Sequence, residues 1–448
     1  MIPAHPPSPF IGLALVPTVL LTLMLTVRAL QKRSLLDAEL ARKMVHTGMG
    51  LVALSFPFLF RDTWPVITLA GLSIVLLLGV KLAGPLKKQL GGVLGSVERQ
   101  SYGEVYFPLA VAVLFAATHG RPILYIVPVL ILAFGDAAAA LIGVRYGRNK
   151  YESTDGVKSA EGSLTFFTVT FLVVHVPLLL LTTIGRAECL LIGLIMALLV
   201  MELEAIAWNG LDNLFIPLGA YALLHAFVQL SADDLLVRLG VAAIWIAAAI
   251  AIRRWTTLNT GALIGVAVLG YICWAVGGLT WLVAPLTVLL SYSLFSPRNT
   301  DSRHRTHTVH SVLSVGAVGF IWLFAESTAH VGSLFYPYTI SYAVQFAVIL
   351  IARWRHWSNA PVDFGRIAMC IVISWLLLGL PYVLLDRQAS THWARMALML
   401  AIIAAGAAVF IRAEAGHQAE PTDSRRLWRQ AIIAAAGSCL GALCYIGA

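Results

Sequence analysis

The sequence predicts an all-α, polytopic integral membrane protein of about 16 transmembrane helices in two bundles, on three observations. First, 59% of the 448 residues are hydrophobic and only 12% are charged, with a mean hydropathy of +0.84. A soluble domain carries about 25% charged residues, so most of this chain has lipid as its solvent. Second, the apolar residues form continuous runs near the length of about 20 residues that a helix needs to cross a bilayer. Third, 25 of the 31 Lys and Arg residues fall in alternate loops between those runs.

The runs lie near 9–27, 44–60, 64–84, 104–119, 122–143, 163–184, 187–205 and 211–230, then 236–252, 259–276, 278–296, 308–325, 334–352, 367–385, 394–411 and 430–447. Their continuity excludes an alternating barrel pattern, and helices and closed barrels are the only structures that satisfy every backbone polar group in lipid. The division expected is 1–232 and 233–448. Phe10–Val27 has no basic segment before it and no small-x-small site after it, so it reads as a retained span rather than a signal peptide. The basic-rich loops face the cytoplasm by the positive-inside rule. That rule also accounts for the formal charge of +9 without any nucleic-acid partner. The five cysteines all lie in apolar runs, with no spacing for zinc or a disulfide framework.

Ionisable groups near a bilayer are costly, and each is a functional candidate. The first half has five such places, all at expected cytoplasmic helix ends. "ARKMVHTGMG" carries Arg42, Lys43 and His46, with Arg42 and His46 one turn apart on a shared face. "ERQSYGEVYFP" brings Glu104 to the start of a span. "FGDAAAALIGVRYGRNKYESTDGVKSAEGS" places Asp136 inside an apolar helix, followed by Gly143, Arg145, Gly147, Arg148, Lys158, Ser159, Glu161 and Gly162. A carboxylate beside a Gly-, Lys- and Arg-rich loop suits a metal–polyphosphate site. The acid holds Mg2+, while backbone N–H groups and cations neutralise phosphate. Glu202 with Glu204, and Asp212 with Asn213, form a second acidic wall in "MELEAIAWNGLDNLFIP". A site drawn from several helix ends at one membrane face suits a water-soluble nucleotide meeting a membrane-dissolved lipid.

The segments "RKMVHTGMG", "SYGEVYFP", "FGDAAAALIGVRYGR", "KSAEGS" and Glu204, Gly210–Asn213 and Pro217, in this order over about residues 38–220, resemble the polyprenol kinase family, which includes phytol and dolichol kinases. That family is similar to the CTP-dependent phosphatidate cytidylyltransferases. The resemblance implies transfer of the terminal phosphoryl group of CTP to an isoprenoid alcohol, with Mg2+. Asp136, Gly143, Gly147, Lys158, Glu161 and Gly162 match its nucleotide/metal motif. In that reading Asp136 binds Mg2+, and Lys158 and Arg148 neutralise phosphate, with Arg145 and Ser159 in the same nucleotide loop. Glu161 orients the loop or a second metal. Asp212, backed by Glu204, takes the alcohol's proton or holds metal. Arg42, Lys43, His46, Glu104 and Asn213 are candidate substrate or phosphate contacts. The cytidylyltransferase motif reads Lys-Thr-x-Glu-Gly where this chain has Lys158-Ser159-Ala160-Glu161-Gly162, which favours the kinase over an enzyme making CDP-diacylglycerol. A transporter is the alternative of another class, but transporters place charges mid-span in paired halves, and these halves do not match.

The second half repeats none of this. Residues 258–298 are similar to the opening of the phytyl-phosphate kinase family over about 40 residues, without its later acidic motif. His304, His307 and His310 recur at spacing three in a basic loop suited to anionic headgroups. Residues 412–429 read as a polar, flexible loop.

Overall fold

The computed structural model describes residues 8–82, 102–118, 120–153, 156–207, 209–253, 256, 258–294, 307–329, 334–358, 363–386, 392–414 and 423–446. His304 lies outside them. In order the elements are α1 (Pro9–Lys32), α2 (Ala38–Leu54), α3 (Phe56–Leu59), α4 (Trp64–Leu82), α5 (Gly103–Ala117), α6 (Pro122–Leu130), a π-helical turn (Ile131–Gly135) and α7 (Asp136–Tyr146). A two-stranded ribbon, β1 (Lys150–Ser153) and β2 (Gly156–Ser159), comes next. Then follow α8 (Ala160–Leu181), α9 (Arg186–Ile206), α10 (Asp212–Phe227), α11 (Ala232–Ile252) and α12 (Thr260–Leu294). The last are α13 (Val309–Ala329), α14 (Phe335–Ser358), α15 (Phe364–Leu385), α16 (His392–Ala413) and α17 (Ser424–Ile446).

Every apolar run of the sequence falls on a helix. Among the described residues eleven helices are long and apolar enough to cross a membrane, and Trp64–Gly79 and Gly103–Ala117 are shorter apolar helices. The chain is an integral membrane protein. Its outward side chains are themselves apolar, with Leu180, Phe364 and Trp393 at 72, 82 and 87% exposure, because their solvent is hydrocarbon. Helices α2 (17 residues) and α10 (16 residues) are too short for that set. They are also the two that carry Lys43, His46, Asp212 and Asn213.

The 35 residues of α12 would stretch about 52 Å if straight, far beyond a hydrocarbon core of about 30 Å. The helix breaks at Gly278, whose φ of 74° lies in the left-handed region, where a Cβ would crowd the following carbonyl. The two expected runs 259–276 and 278–296 are therefore two helices joined at one glycine.

Close contacts divide the chain into Met1–Ala242 and Ala243–Ala448. In the first unit the π turn is the hub, touched by α2, α6, α7, α8 and α10. Ile131, Leu132 and Ala133 are wholly buried there. A Cβ at Gly50 of α2 would come within 2.4 Å of Ala133 Cβ, so glycine lets the two backbones meet. In the second unit α14 is the central helix, packed by α12, α13, α15, α16 and α17. Its core includes Tyr338, Tyr342, Phe346 and Val348.

Two features depart from the sequence reading. Lys150–Ser153 and Gly156–Ser159 form a ribbon with Lys150 opposite Ser159 and Tyr151 opposite Lys158, rather than an irregular loop. Helix α17 begins at Ser424, so Arg425–Arg429 are helical and not part of a polar loop.

Gly278→Val is expected to lower the stability of the detergent-solubilised protein by about 1–2 kcal/mol through the left-handed conformation. Gly240→Ala, in an exposed stretch of α11 with open space around it, should raise stability by about 0.5–1 kcal/mol. Thermal unfolding of the two variants beside the parent measures both.

Candidate active site

Helix α2 starts where Asp37 accepts a 2.7 Å bond from Leu40 N, closing an orphan donor of its first turn. From that start, Lys43, His46, Thr47 and Gly50 fall on one helical face and meet the π turn. Pro128 removes one N–H from α6 just before that turn. A π turn shifts the hydrogen-bond ladder and leaves carbonyls for outside donors. His46 Nε2 donates to Leu132 O at 3.0 Å, and Thr47 Oγ1 donates to Ala133 O at 3.1 Å. Lys43 Nζ donates to Asp136 Oδ2 at 2.7 Å. Lys43 is 4% exposed and His46 8% exposed. The same oxygen lies 3.6 Å from His46 Nε2.

The face expected from Arg42 and His46 is thus carried by Lys43 and His46. Arg42 turns outward to hold Glu39 at 2.7 and 3.1 Å, although its charge still bears on Asp136 and Asp212.

The β ribbon delivers the second lysine. Asn149 is fastened to Glu161, whose carboxylate accepts from its Nδ2 at 3.0 Å and its backbone N at 3.2 Å. Tyr151 Oη lies 2.7 Å from Ser163 Oγ. Lys158, opposite Tyr151, reaches α9 and donates to Glu204 Oε1 at 2.7 Å and to the Glu204 carbonyl. Burial pulls the Lys158 ammonium down, but the Glu204 carboxylate outweighs this and holds it above its ordinary value of 10.5. Lys158 is therefore a fixed cation at neutral pH.

Gly143, Gly147 and Gly162 face protein rather than open space. A Cβ at Gly162 would meet Ala139 O at 3.0 Å and Gly143 Cα at 3.3 Å, and one at Gly147 would meet Ser159 Cβ at 2.7 Å. Ser159 Oγ accepts from Gly162 N at 3.1 Å as the N-cap of α8. These residues lock α7 to α8 with the ribbon between them. Arg145 and Arg148 are exposed beside that lock, Arg145 lying 5.6 Å from the Tyr146 ring centroid.

At the start of α10 the turn uses Asn209 and Gly210 with φ of 52° and 83°. Asn209 O accepts from Tyr102 N at 3.1 Å, and Asn213 Nδ2 donates to Gly103 O at 2.9 Å, tying α10 to α5. Glu104 sits half-buried in the first turn of α5. Asp212 Oδ1 and Asn213 Oδ1 are buried acceptors with no hydrogen-bond partner. Asp212 lies within electrostatic reach of Asp136, Lys43, Lys158 and His46, and Glu204 within reach of Asp136 and Asp212. Asp136, Lys158, Glu204 and Asp212 thus form one charged cluster with Lys43 and His46. Among the described residues two of its acids are each matched by a lysine, and Asp212 is not.

Among the described residues no three His, Cys, Asp or Glu side chains form a ready cage for a metal. Mg2+ does not need one: it takes one or two carboxylates and fills its shell with water and phosphate oxygens. The open, buried Asp212 Oδ1 fits such an ion.

Sequence reasoning missed Thr47, the buried π-turn carbonyls that accept from α2, and the ribbon. A signal for the ribbon existed, since Asp155-Gly156 between "KYES" and "VKS" is a hairpin dipeptide.

Removing one member of a buried pair strands the other, which costs about 3–5 kcal/mol. Lys43→Met should therefore destabilise the protein by about that amount, and Lys43→Met with Asp136→Leu by clearly less. A double-mutant cycle in thermal unfolding measures the coupling. For Lys158 the raised value makes its contribution complete below 10.5 and lost only as pH rises above it. Thermal unfolding of the parent should accordingly show the loss of this contribution only above about pH 10.5.

No family model and no solved structure matches the chain. The chain is similar to a phytol kinase of Synechocystis sp., with 34% identity over 214 residues, covering 47% of this chain and 89% of the relative. Identity of that level across nearly all of the relative, together with the motifs that converge on the buried cluster, shows that the chain belongs to the polyprenol/phytol kinase family.

Proposed function

We propose that this protein is a membrane kinase that phosphorylates an isoprenoid alcohol, with CTP as phosphoryl donor, Mg2+ as cofactor and the site on the cytoplasmic face. The observation that carries the reading is the unmatched Asp212 carboxylate, whose Oδ1 is a buried acceptor without a donor, in a cluster that holds two fixed lysines. Its two lysines do not balance its three acids, so the cluster is short of a proton or a cation, and Mg2+ would supply the positive charge that phosphate needs. The similarity to a phytol kinase supports the alcohol as acceptor.

In this reading the alcohol's oxygen attacks the terminal phosphorus, the bond from that phosphorus to the bridging oxygen breaks, and the nucleoside diphosphate leaves with the electron pair. Asp212 accepts the hydroxyl proton. Lys158, held by Glu204, and the exposed Arg148 neutralise phosphate oxygens, which is where most of the catalysis in phosphoryl transfer arises. Asp136 and Asp212 would hold Mg2+, which supplies charge neutralisation across the phosphates. Lys43 and His46 keep Asp136 aimed and desolvated. Glu161 positions the ribbon through Asn149. The isoprenoid tail lies among apolar side chains and enters from the bilayer.

Purified protein in micelles, given γ-labelled CTP or ATP, Mg2+ and alcohols from geraniol to phytol to long polyprenols, should yield labelled prenyl phosphate. Asp212→Asn and Lys158→Met should each slow turnover by about 10²–10³-fold, the effect of removing one preorganised charged group. Folded protein that transfers no label to any alcohol overturns the kinase. Transfer from ATP but not CTP overturns the donor.

A further inference from the structure

The second unit encloses an arginine, Arg426, that no side chain answers at its Nε among the described residues. Arg426, in the first turn of α17, is 6% exposed, and its Nε has no hydrogen-bond partner. A basic residue that serves only the positive-inside rule extends into water or headgroups. Its neighbour Arg425 does so and is exposed, whereas Arg426 is enclosed by protein. The acids whose charge bears on Arg426 are Glu414 and Asp423. Glu414 is held by Arg429 at 2.9 Å, and Asp423 accepts from Arg425 N at 3.1 Å.

Around it lie other donors and cations. The Arg353 guanidinium, near the end of α14, stacks 5.2 Å from the ring centroid of Tyr292 in the last turn of α12. Tyr292 Oη is 3.1 Å from His307 Nε2, just before α13. The charge of Arg426 reaches both Tyr292 and His307. Burial, then Arg426 and Arg353, push His307 down to about 4, so the positive charge at neutral pH is that of the arginines. Burying a guanidinium with an unsatisfied N–H is costly unless an anion completes it. The candidate spans end at Arg355 and begin at Arg425, so Arg353 and Arg426 lie within two residues of span ends, which is where headgroups meet a transmembrane helix. The anion abundant at that depth is phosphate, which a planar guanidinium grips through two parallel bonds.

We propose that the end of the second unit where α12, α13, α14 and α17 meet is a binding site for the phosphate group of a membrane lipid, held by Arg426 and Arg353 beside Tyr292 and His307. This site is separate from the Lys43–Asp136–Lys158–Asp212 cluster and does not depend on its function. The lipid carries its tail along the apolar helices and its phosphate against the arginines.

The test uses the full-length protein in neutral detergent and follows its thermal unfolding. The titrants are dihexanoyl phosphatidic acid, inorganic phosphate and, as an uncharged control, dihexanoylglycerol. Saturable stabilisation by the phosphatidic acid alone is expected. It should be unchanged in Arg425→Gln and in Asp136→Asn, and about 30-fold or more weaker in Arg426→Gln, as for a truncated buried charge contact. Where Arg426→Gln does not fold, Arg353→Gln makes the same measurement. Equal stabilisation by inorganic phosphate overturns the lipid assignment in favour of a free anion. No saturable response, or one that survives both arginine substitutions, overturns the site.

Discussion

The buried pair between Lys43 and Asp136, at 2.7 Å, is the interaction on which the first unit depends. Asp136 follows a π turn in the most enclosed part of that unit, where an unpaired carboxylate would be untenable. Lys43 answers it, and the same helical face brings His46 and Thr47 to the carbonyls that the turn leaves available. One short helix thus satisfies a displaced backbone and a buried charge together. The cost of that arrangement is that α2 cannot be uniformly apolar, and it is correspondingly short.

Around this pair the remaining charges are arranged by the need to match one another. Glu204 is tolerable at the end of α9 because the ribbon brings Lys158 to it. The ribbon can reach because Glu161 fixes Asn149 and because Gly143, Gly147 and Gly162 let α7 and α8 approach closely. Asp212 is the exception. It feels both lysines and both neighbouring acids yet keeps an open oxygen. In a low-dielectric setting an imbalance of this kind makes Asp212 the candidate position for a bound cation or proton.

The second unit shows the same physics with the sign reversed. Its centre is an aromatic core on α14, with Tyr338 and Tyr342 buried among Trp281 and Phe346. At one end Asp386 and Arg395 balance each other at 2.8 Å, bridged by Tyr382. At the other end Arg426 is enclosed and only partly answered. A matched pair needs nothing further, whereas a buried guanidinium N–H without an acceptor among the described residues favours an anion.

Hydropathy alone determined the all-α membrane architecture and the approximate bounds of the helices, because a lipid solvent demands apolar helices and leaves few alternatives. It did not determine the number of spans, since 16 apolar runs correspond to 11 helices long and apolar enough to cross among the described residues. The cost of charge near a bilayer likewise drew attention to Asp136, Lys158, Glu204 and Asp212, which the tertiary structure brings within electrostatic reach of one another. Their partners were not legible. That Lys43 rather than Arg42 meets Asp136 depends on the rotation of α2 about its axis. That Lys158 meets Glu204, 46 residues away, depends on a ribbon whose pairing is a tertiary matter. The motif glycines read equally well as phosphate-binding or as packing residues, and only the distances between α7 and α8 show what surrounds them. Arg426 was read as loop because charge density at the start of a helix resembles charge density in a linker. Its enclosure is decided by helices that approach it from distant parts of the chain, and local sequence carries no record of that approach.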